Sequence, residues 1–276
     1  MIKGKVKIKM RFFDNHSHLN DEKFNIDRKK LIDEISKTDV THFITAGYNL
    51  ESSKSAVKLA KEYQFIYAIV GISPNDMPDN PQKEEELWKD IHEIEKIIEK
   101  DSPKKIVAIG EIGLDYYWEK NEDMRKLQRE AFISQIELAN KLELPIVIHT
   151  RDAVMDTLEI LKKYDVHKKG VFHCCPQNRE LIKEGLKLGF YISFAGPITF
   201  KNSKNAEEII NLVPNDKILI ETDSPYLAPE PVRGTRNDPR NVKYIAQKIA
   251  NVKNMTIEEI ANITFENTCR IFEINM

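Results

Sequence analysis

Eight short apolar runs rich in β-branched residues, separated by longer charged stretches of helical period, constrain this chain more than any other feature. The runs are Phe12–Phe13, Thr41–Thr45, Ile66–Val70, Ile106–Ile109, Pro145–Ile148, Gly170–Phe172, Tyr191–Phe194 and Ile218–Ile220. Between them lie Asp27–Lys37, Ser53–Tyr63, Lys83–Lys100, Met124–Leu142, Val154–Tyr164, Arg179–Leu188 and Ala206–Leu212. Uninterrupted apolar strands alternating with amphipathic helices read as parallel strands buried on both faces. Eight of them, with a helix after nearly every one, predict an α/β fold of the (β/α)₈ barrel type; an open doubly wound sheet is the competing architecture. The 276 residues fit one such barrel of about 250 residues. A Pro-rich loop (Ser224–Pro239) and two further helical stretches, Val242–Asn251 and Thr256–Phe272, follow the last strand. No linker and no repeat interrupts the pattern, so residues 10–276 are expected to form a single domain with extra C-terminal helices. In residues 1–9 lysines alternate with Val6 and Ile8. That segment reads either as an exposed edge strand or as an N-terminal extension or disordered tail ahead of Met10.

Composition excludes several classes of function. The 42 basic and 44 acidic side chains leave a net charge of −2, which argues against coating DNA by bulk charge but leaves room for a local cationic cleft. No apolar run approaches the ~20 residues that span a bilayer, and the opening MIKGKVKIKM lacks the apolar stretch of a signal peptide. Three cysteines, two of them adjacent at Cys174 and Cys175, make no disulfide framework, so a reducing cytoplasm is the expected location.

Acids and histidines cluster at the carboxyl ends of the expected strands, where barrels build active sites. His16 and His18 follow the first strand, Glu111 the fourth, His149 the fifth and His173 the sixth, and Asp223 follows the eighth. Residues i and i+2 of an extended segment point the same way, so His16 and His18 can converge on one ion. Imidazole and carboxylate donors suit zinc, manganese or iron, and carboxylates extend the range to magnesium. Six such residues exceed what one structural zinc needs; they fit one catalytic ion with open positions, or two sharing a bridge such as Glu111. One histidine at a strand end is more often a structural residue, but four with two acids at one barrel end reverse that reading. His42, His92 and His167 lie elsewhere and are read as non-ligands; Cys174 and Cys175 as packing residues.

The same rim carries features suited to an anion. Arg151 offers a planar fork to a phosphate, while Arg233 and Arg236 either reach a ligand beside the permissive Gly234 or hold their loop by salt bridges. Tyr116, Tyr117, Trp118 and Tyr226 either stack on bases or pack. Glu221 is either an orienter of a histidine or an interior acid paired with a Lys or Arg.

The motifs Phe13-Asp14-Asn15-His16-Ser17-His18-Leu19, Gly110-Glu111-Ile112-Gly113-Leu114-Asp115, Ile148-His149-Thr150-Arg151, Phe172-His173-Cys174, Glu221-Thr222-Asp223-Ser224-Pro225-Tyr226-Leu227-Ala228-Pro229 and Arg233-Gly234-Thr235-Arg236-Asn237 resemble those of the TatD family of metal-dependent deoxyribonucleases. That family is a TIM-barrel branch of the amidohydrolase superfamily, and the resemblance covers nearly the whole chain. It implies two divalent ions (zinc, magnesium or manganese) held by His16, His18, Glu111, His149, His173 and Asp223. It also implies DNA or another anionic phosphoester as substrate, often cleaved from the 3′ end, in the cytoplasm and without an obligate protein partner. One position departs: the family usually carries Gly-x-His-Pro after the third strand, whereas this chain has Gly71-Ile72-Ser73-Pro74. The loss of an imidazole that contacts substrate is expected to weaken or redirect activity, with Asn75 as a substitute donor; it bears on the substrate rather than on the metal.

The expected chemistry is hydrolysis by metal-activated water, whose pKa falls from 15.7 to about 7 on a bound ion. Asp223 takes the proton, Glu111 bridges the ions, and Arg151 holds a phosphate oxygen. Tyr226, Arg233, Arg236 and Ser73 complete the expected substrate contacts. Two other readings compete: hydrolysis of a carboxyl ester, amide or small phosphoester in the same cage, and a barrel that binds nucleic acid or protein without turnover.

Overall fold

Each expected run forms a strand, and the strands close on one another in chain order. The computed structural model describes residues 10–276; the expected extension over residues 1–9 lies outside the described residues. The strands are β1 (Phe12–Ser17), β2 (Val40–Ala46), β3 (Ile66–Val70), β4 (Ile106–Asp115), β5 (Ile146–Arg151), β6 (Gly170–Phe172), β7 (Tyr191–Phe194) and β8 (Ile218–Ile220). Among the described residues they form one sheet in the order β1 to β8, every neighbouring pair parallel. The helices are α1 (Arg28–Ile35), α2 (Leu50–Glu62), α3 (Glu84–Glu99), α4 (Glu122–Lys141), α5 (Val154–Lys163), α6 (Arg179–Lys187), α7 (Ala206–Leu212), α8 (Val242–Lys253) and α9 (Ile257–Ile271). No helix among the described residues is long and apolar enough to cross a membrane.

The strand sequences split by parity into two cores. Phe13, Ile44, Ile69, Val147, Val171, Tyr191 and Leu219 point into the barrel, where Phe265 and Phe272 also pack. Their alternate neighbours Phe12, Phe43, Val70, Ile148, Phe172, Ile192 and Ile220 point outward beneath the helices. This is the period of two that a pleated strand imposes, and burial on both faces explains why the runs look uniformly apolar.

Closure between β8 and β1 is made at the carboxyl rim by long-range hydrogen bonds. Asp223 N donates to the His16 carbonyl at 3.0 Å and His18 N to the Ser224 carbonyl at 2.6 Å. Buried Asp14 accepts from Thr222 N at 2.8 Å and from the Thr222 hydroxyl, and Asn15 donates to the Ile220 carbonyl at 2.6 Å. The seam that seals the barrel therefore also brings His16 and His18 to Asp223.

Candidate metal centre

Two of the strands deliver their functional side chains through irregularities rather than through the pleat. In β1 the register against β2 shifts between Asp14 and Ser17, and in β4 the register against β5 shifts between Ile109 and Ile112. Each shift places one extra residue on the strand, which changes the parity of everything beyond it. His16 thus turns inward although Phe13, three residues earlier, does so too. Glu111, expected beyond the fourth strand, lies within it, because β4 resumes pairing after the shift and runs on to Asp115. Gly113 permits that continuation: its φ is +139°, and a Cβ there would sit 2.0 Å from the His149 carbonyl oxygen. His149 and His173 follow the inward parity of Val147 and Val171. Asp223 turns back toward the barrel axis with a left-handed φ of 55°, a conformation Asp tolerates better than most residues.

The six side chains converge. His16 Nε2 and His18 Nε2 lie 3.3 Å apart, and Asp223 Oδ1 lies 3.3 Å from His18 Nε2 and 3.9 Å from His16 Nε2. On the other side His149 Nδ1 and His173 Nε2 are 3.3 Å apart. Glu111 stands between the two groups. Its Oε2 is 3.3 Å from His16, 3.7 Å from His18 and 3.6 Å from His173, and its Oε1 is 3.7 Å from His149. His16 with His18 and Asp223, and His16 with Glu111 and His173, each offer donor atoms within 4.8 Å of one another.

The chemistry of these donors fits a divalent cation. A carbonyl or carboxylate oxygen can only accept, so the imidazole nitrogen facing it must carry the proton. His18 donates from Nδ1 to the Ala46 carbonyl at 3.0 Å, His173 faces Glu221 Oε1 with Nδ1 at 3.3 Å, and His149 donates from Nε2 to Asp115 Oδ2 at 2.9 Å. In the neutral imidazoles the opposite nitrogens then turn lone pairs into the centre. Lone pairs 3.3 Å apart beside two carboxylates call for positive charge between them. Without an ion, protons supply it. Burial opposes the charge on His18, but Asp223 and Glu111 outweigh it and push His18 up to about 9. Burial likewise opposes His173, and Glu111 and Glu221 push it up to about 10. His16 is lowered by burial and by the neighbouring His173. Glu111 stays ionised far below the usual carboxylate range, because the surrounding histidines, His173 foremost, override its burial.

A layer of acids behind the cage was only partly visible in the sequence. Glu221, 0% exposed, takes the orienting option: besides facing His173 it accepts from Cys174 N at 2.7 Å. Asp115 orients His149 and is itself held by Asn75, whose side-chain amide donates at 3.0 Å. Asp115 closes the Gly110-Glu111-Ile112-Gly113-Leu114-Asp115 motif, but nothing in that motif marked it as an acid that orients a histidine. Asp76, also unforeseen, lines the same cavity, and burial pushes it up to about 6.

A cavity of about 870 Å³ opens over the cage and includes Ser73, Arg151 and Tyr226 in its wall. Cys174 and Cys175, expected as packing residues, border it as well. The remaining arginines do not join them. Arg236 forms a two-pronged ion pair with Asp27 and donates to the Lys23 carbonyl. Arg233 lies over the Phe200 ring at 4.1 Å and is not in the cavity wall. The loop-holding alternative therefore describes Arg236. Ser73 is buried, and its hydroxyl accepts from Asn75 N at 3.3 Å.

Residues 13–273 match the family described as TatD related DNase, and the chain belongs to that family. It is 43% identical over 265 residues to YabD of Bacillus subtilis (strain 168), covering 95% of this chain and 99% of that one. It is 35% identical over 266 residues to YcfH of Escherichia coli (strain K12), covering 95% and 96%. Both relatives are named uncharacterized metal-dependent hydrolases. The crystal structure of the Escherichia coli TatD homologue YJJV superposes with a TM-score of 0.86 over 97% of this chain and 100% of that one, at 24% identity. A TatD family hydrolase from Entamoeba histolytica superposes with a TM-score of 0.83 over 96% and 98%, at 22% identity. Both likenesses establish the barrel.

Proposed function

We propose that this chain is a metal-dependent hydrolase that cleaves phosphodiester bonds of DNA, working from a strand end, at a two-ion centre held by His16, His18, Glu111, His149, His173 and Asp223. The position of Glu111 carries the reading. One carboxylate lies within 3.3–3.7 Å of all four imidazoles, where it can bridge a His16–His18–Asp223 group and a His149–His173 group. Bound divalent ions would supply Lewis acidity and lower the pKa of attacking water. Asp223 borders both the cage and the cavity, and its carboxylate would be the proton acceptor for water attacking there. A general base contributes about 10²–10⁴-fold. Arg151, in the wall of the same cavity, offers its guanidinium to a phosphate oxygen.

A second reading, hydrolysis of a small phosphoester, is favoured by the pairing of Arg236 with Asp27 and by Ser73 in place of an imidazole. Both leave the rim less cationic than a long polyanion would use. Metal-stripped protein reloaded with magnesium, manganese or zinc should release nucleotides stepwise from end-labelled single-stranded DNA. Cleavage of p-nitrophenyl phosphate with no release from DNA under any metal would overturn the nuclease reading in favour of the second.

A further inference from the structure

Trp118 lies at the mouth of the cavity over the cage and is 67% exposed. An indole left in water at a functional mouth is a large, flat apolar surface available to a ligand. Its surroundings hold it in place. Trp118 N and Tyr117 N both donate to Asp115 Oδ1, at 3.1 and 3.0 Å. The other oxygen of the same buried carboxylate orients His149. The Tyr117 ring meets the indole edge-on, with centroids 4.7 Å apart and planes at 85°. The Arg151 guanidinium lies 3.7 Å from the Tyr117 centroid and 5.6 Å from that of Trp118. An exposed aromatic face, a cation beside it and a metal-binding cage thus share one cavity, with the aromatic loop anchored to the carboxylate that sets a cage histidine.

We propose that Trp118, braced by Tyr117 and Arg151, is a stacking platform for an unpaired nucleobase adjacent to the phosphodiester bond being cleaved. This rests on the nuclease reading and deepens it. A cation next to an aromatic face matches the alternation of phosphate and base along a nucleic acid strand. Every base has a π-face, so the contact tolerates sequence. A base in a duplex has its faces covered by its neighbours, so the platform selects strands that are unpaired at the cleavage end. Ordering by Asp115 means that little loop freedom is lost on binding. Stacking on one aromatic side chain is worth about 5- to 150-fold in affinity per base.

The test uses metal-stripped protein, so that binding is read without cleavage. The chain has two tryptophans, and Trp88→Phe leaves Trp118 as the fluorescent reporter. A thymidine tetranucleotide should quench Trp118 and bind about 5- to 150-fold more tightly than an abasic tetramer carrying the same phosphates. In the otherwise unaltered chain, Trp118→Ala should bring the thymidine oligomer down toward the abasic affinity, measured by anisotropy of a labelled strand, while Trp118→Phe restores much of the difference. Equal binding of the two tetramers, or an unaltered affinity in Trp118→Ala, overturns the platform. If reloaded enzyme still releases nucleotides from DNA in that case, only the platform falls; if it releases none, the nuclease reading falls with it.

Discussion

Replacing Glu221 with glutamine tests whether the acid behind His173 acts on the metal. Glu221 and Gln have nearly the same volume, and the Gln carbonyl still accepts from Cys174 N, now 2.7 Å from Glu221 Oε1. The substitution therefore removes one negative charge facing His173 Nδ1 at 3.3 Å and leaves the backbone contact. Losing a carboxylate behind an imidazole ligand costs about 10–100-fold in metal affinity, or about 1.4–2.8 kcal/mol. The pH dependence sharpens the prediction. Burial disfavours a charged His173, yet Glu111 and Glu221 hold it up to about 10, so a proton competes for the nitrogen that an ion would use. Glu221 strengthens the hold on both competitors. At pH 6 the variant loses affinity for proton and metal together, and the two losses largely offset. At pH 9 proton competition has begun to weaken, so the metal deficit should exceed that at pH 6, reaching its limit of about 10–100-fold only above the His173 value of about 10. Zinc titration against a fluorescent chelator at pH 6, 7.5 and 9 gives the comparison, with circular dichroism to confirm folding. An affinity unchanged at every pH, or a deficit that deepens on acidification, would refute the argument that Glu221 works through His173.

Glu111→Ala and Asp223→Ala should each reduce turnover to background while the barrel stays folded by circular dichroism; near-normal turnover in either would remove the role assigned to that residue. The raised His18 and His173, at about 9 and about 10, stabilise the metal-free fold fully below pH about 6.5. That contribution is lost as pH rises through 9 to 10. The Tm of metal-stripped protein should therefore fall between pH 7 and 10, a slope that metal loading removes by taking the place of the protons. Saturation at about 100 times Kd should also raise Tm at pH 7, since such loading adds about 2.7 kcal/mol and each kcal/mol shifts a protein of this size by roughly 2–4 °C. Asp14 is pushed well up by burial, so it costs stability progressively as pH rises from the ordinary carboxylate range toward that raised value, and the cost is complete above it. Asp14→Asn can accept from Thr222 N and donate to the Thr222 hydroxyl, and should match or exceed the parent in urea unfolding at pH 7. Asp14→Ala, which leaves a buried N–H unpaired, should lose about 1–3 kcal/mol.

What the sequence made legible follows from which interactions are local. Apolar runs such as Ile146–Ile148 and Ile218–Ile220 show their burial on both faces directly, and a barrel leaves little freedom over where eight of them go. The candidate cage was legible because ligation needs particular side chains, and His16, His18, Glu111, His149, His173 and Asp223 supply nitrogen or carboxylate donors at strand ends. The register shifts in β1 and β4 were not, because an extra residue shows only against the partner strand. Asp27, which takes up Arg236, lies 209 residues away in the chain, so no local pattern distinguishes that arginine from one free to meet a phosphate.

The acids behind the cage are the most instructive case. Asp14, Asp115 and Glu221 sit within a few residues of the candidate ligands and look no different in sequence from Glu111 and Asp223. Side-chain chemistry cannot sort them, since a carboxylate can serve equally as a ligand or as a hydrogen-bond acceptor. The sorting is done by which atom each one faces. Glu111 and Asp223 meet the imidazole nitrogens that open into the centre, whereas Asp115 and Glu221 meet the nitrogens that point away, and Asp14 meets a backbone N–H across the closing seam. Those assignments depend on the turn at Asp223, on the register shifts, and on closure between β8 and β1. The division of labour among five similar acids is therefore a property of the closed barrel, and a variant that loosened the Asp14–Thr222 seam would be expected to disturb the candidate metal centre without altering any of the six candidate ligands.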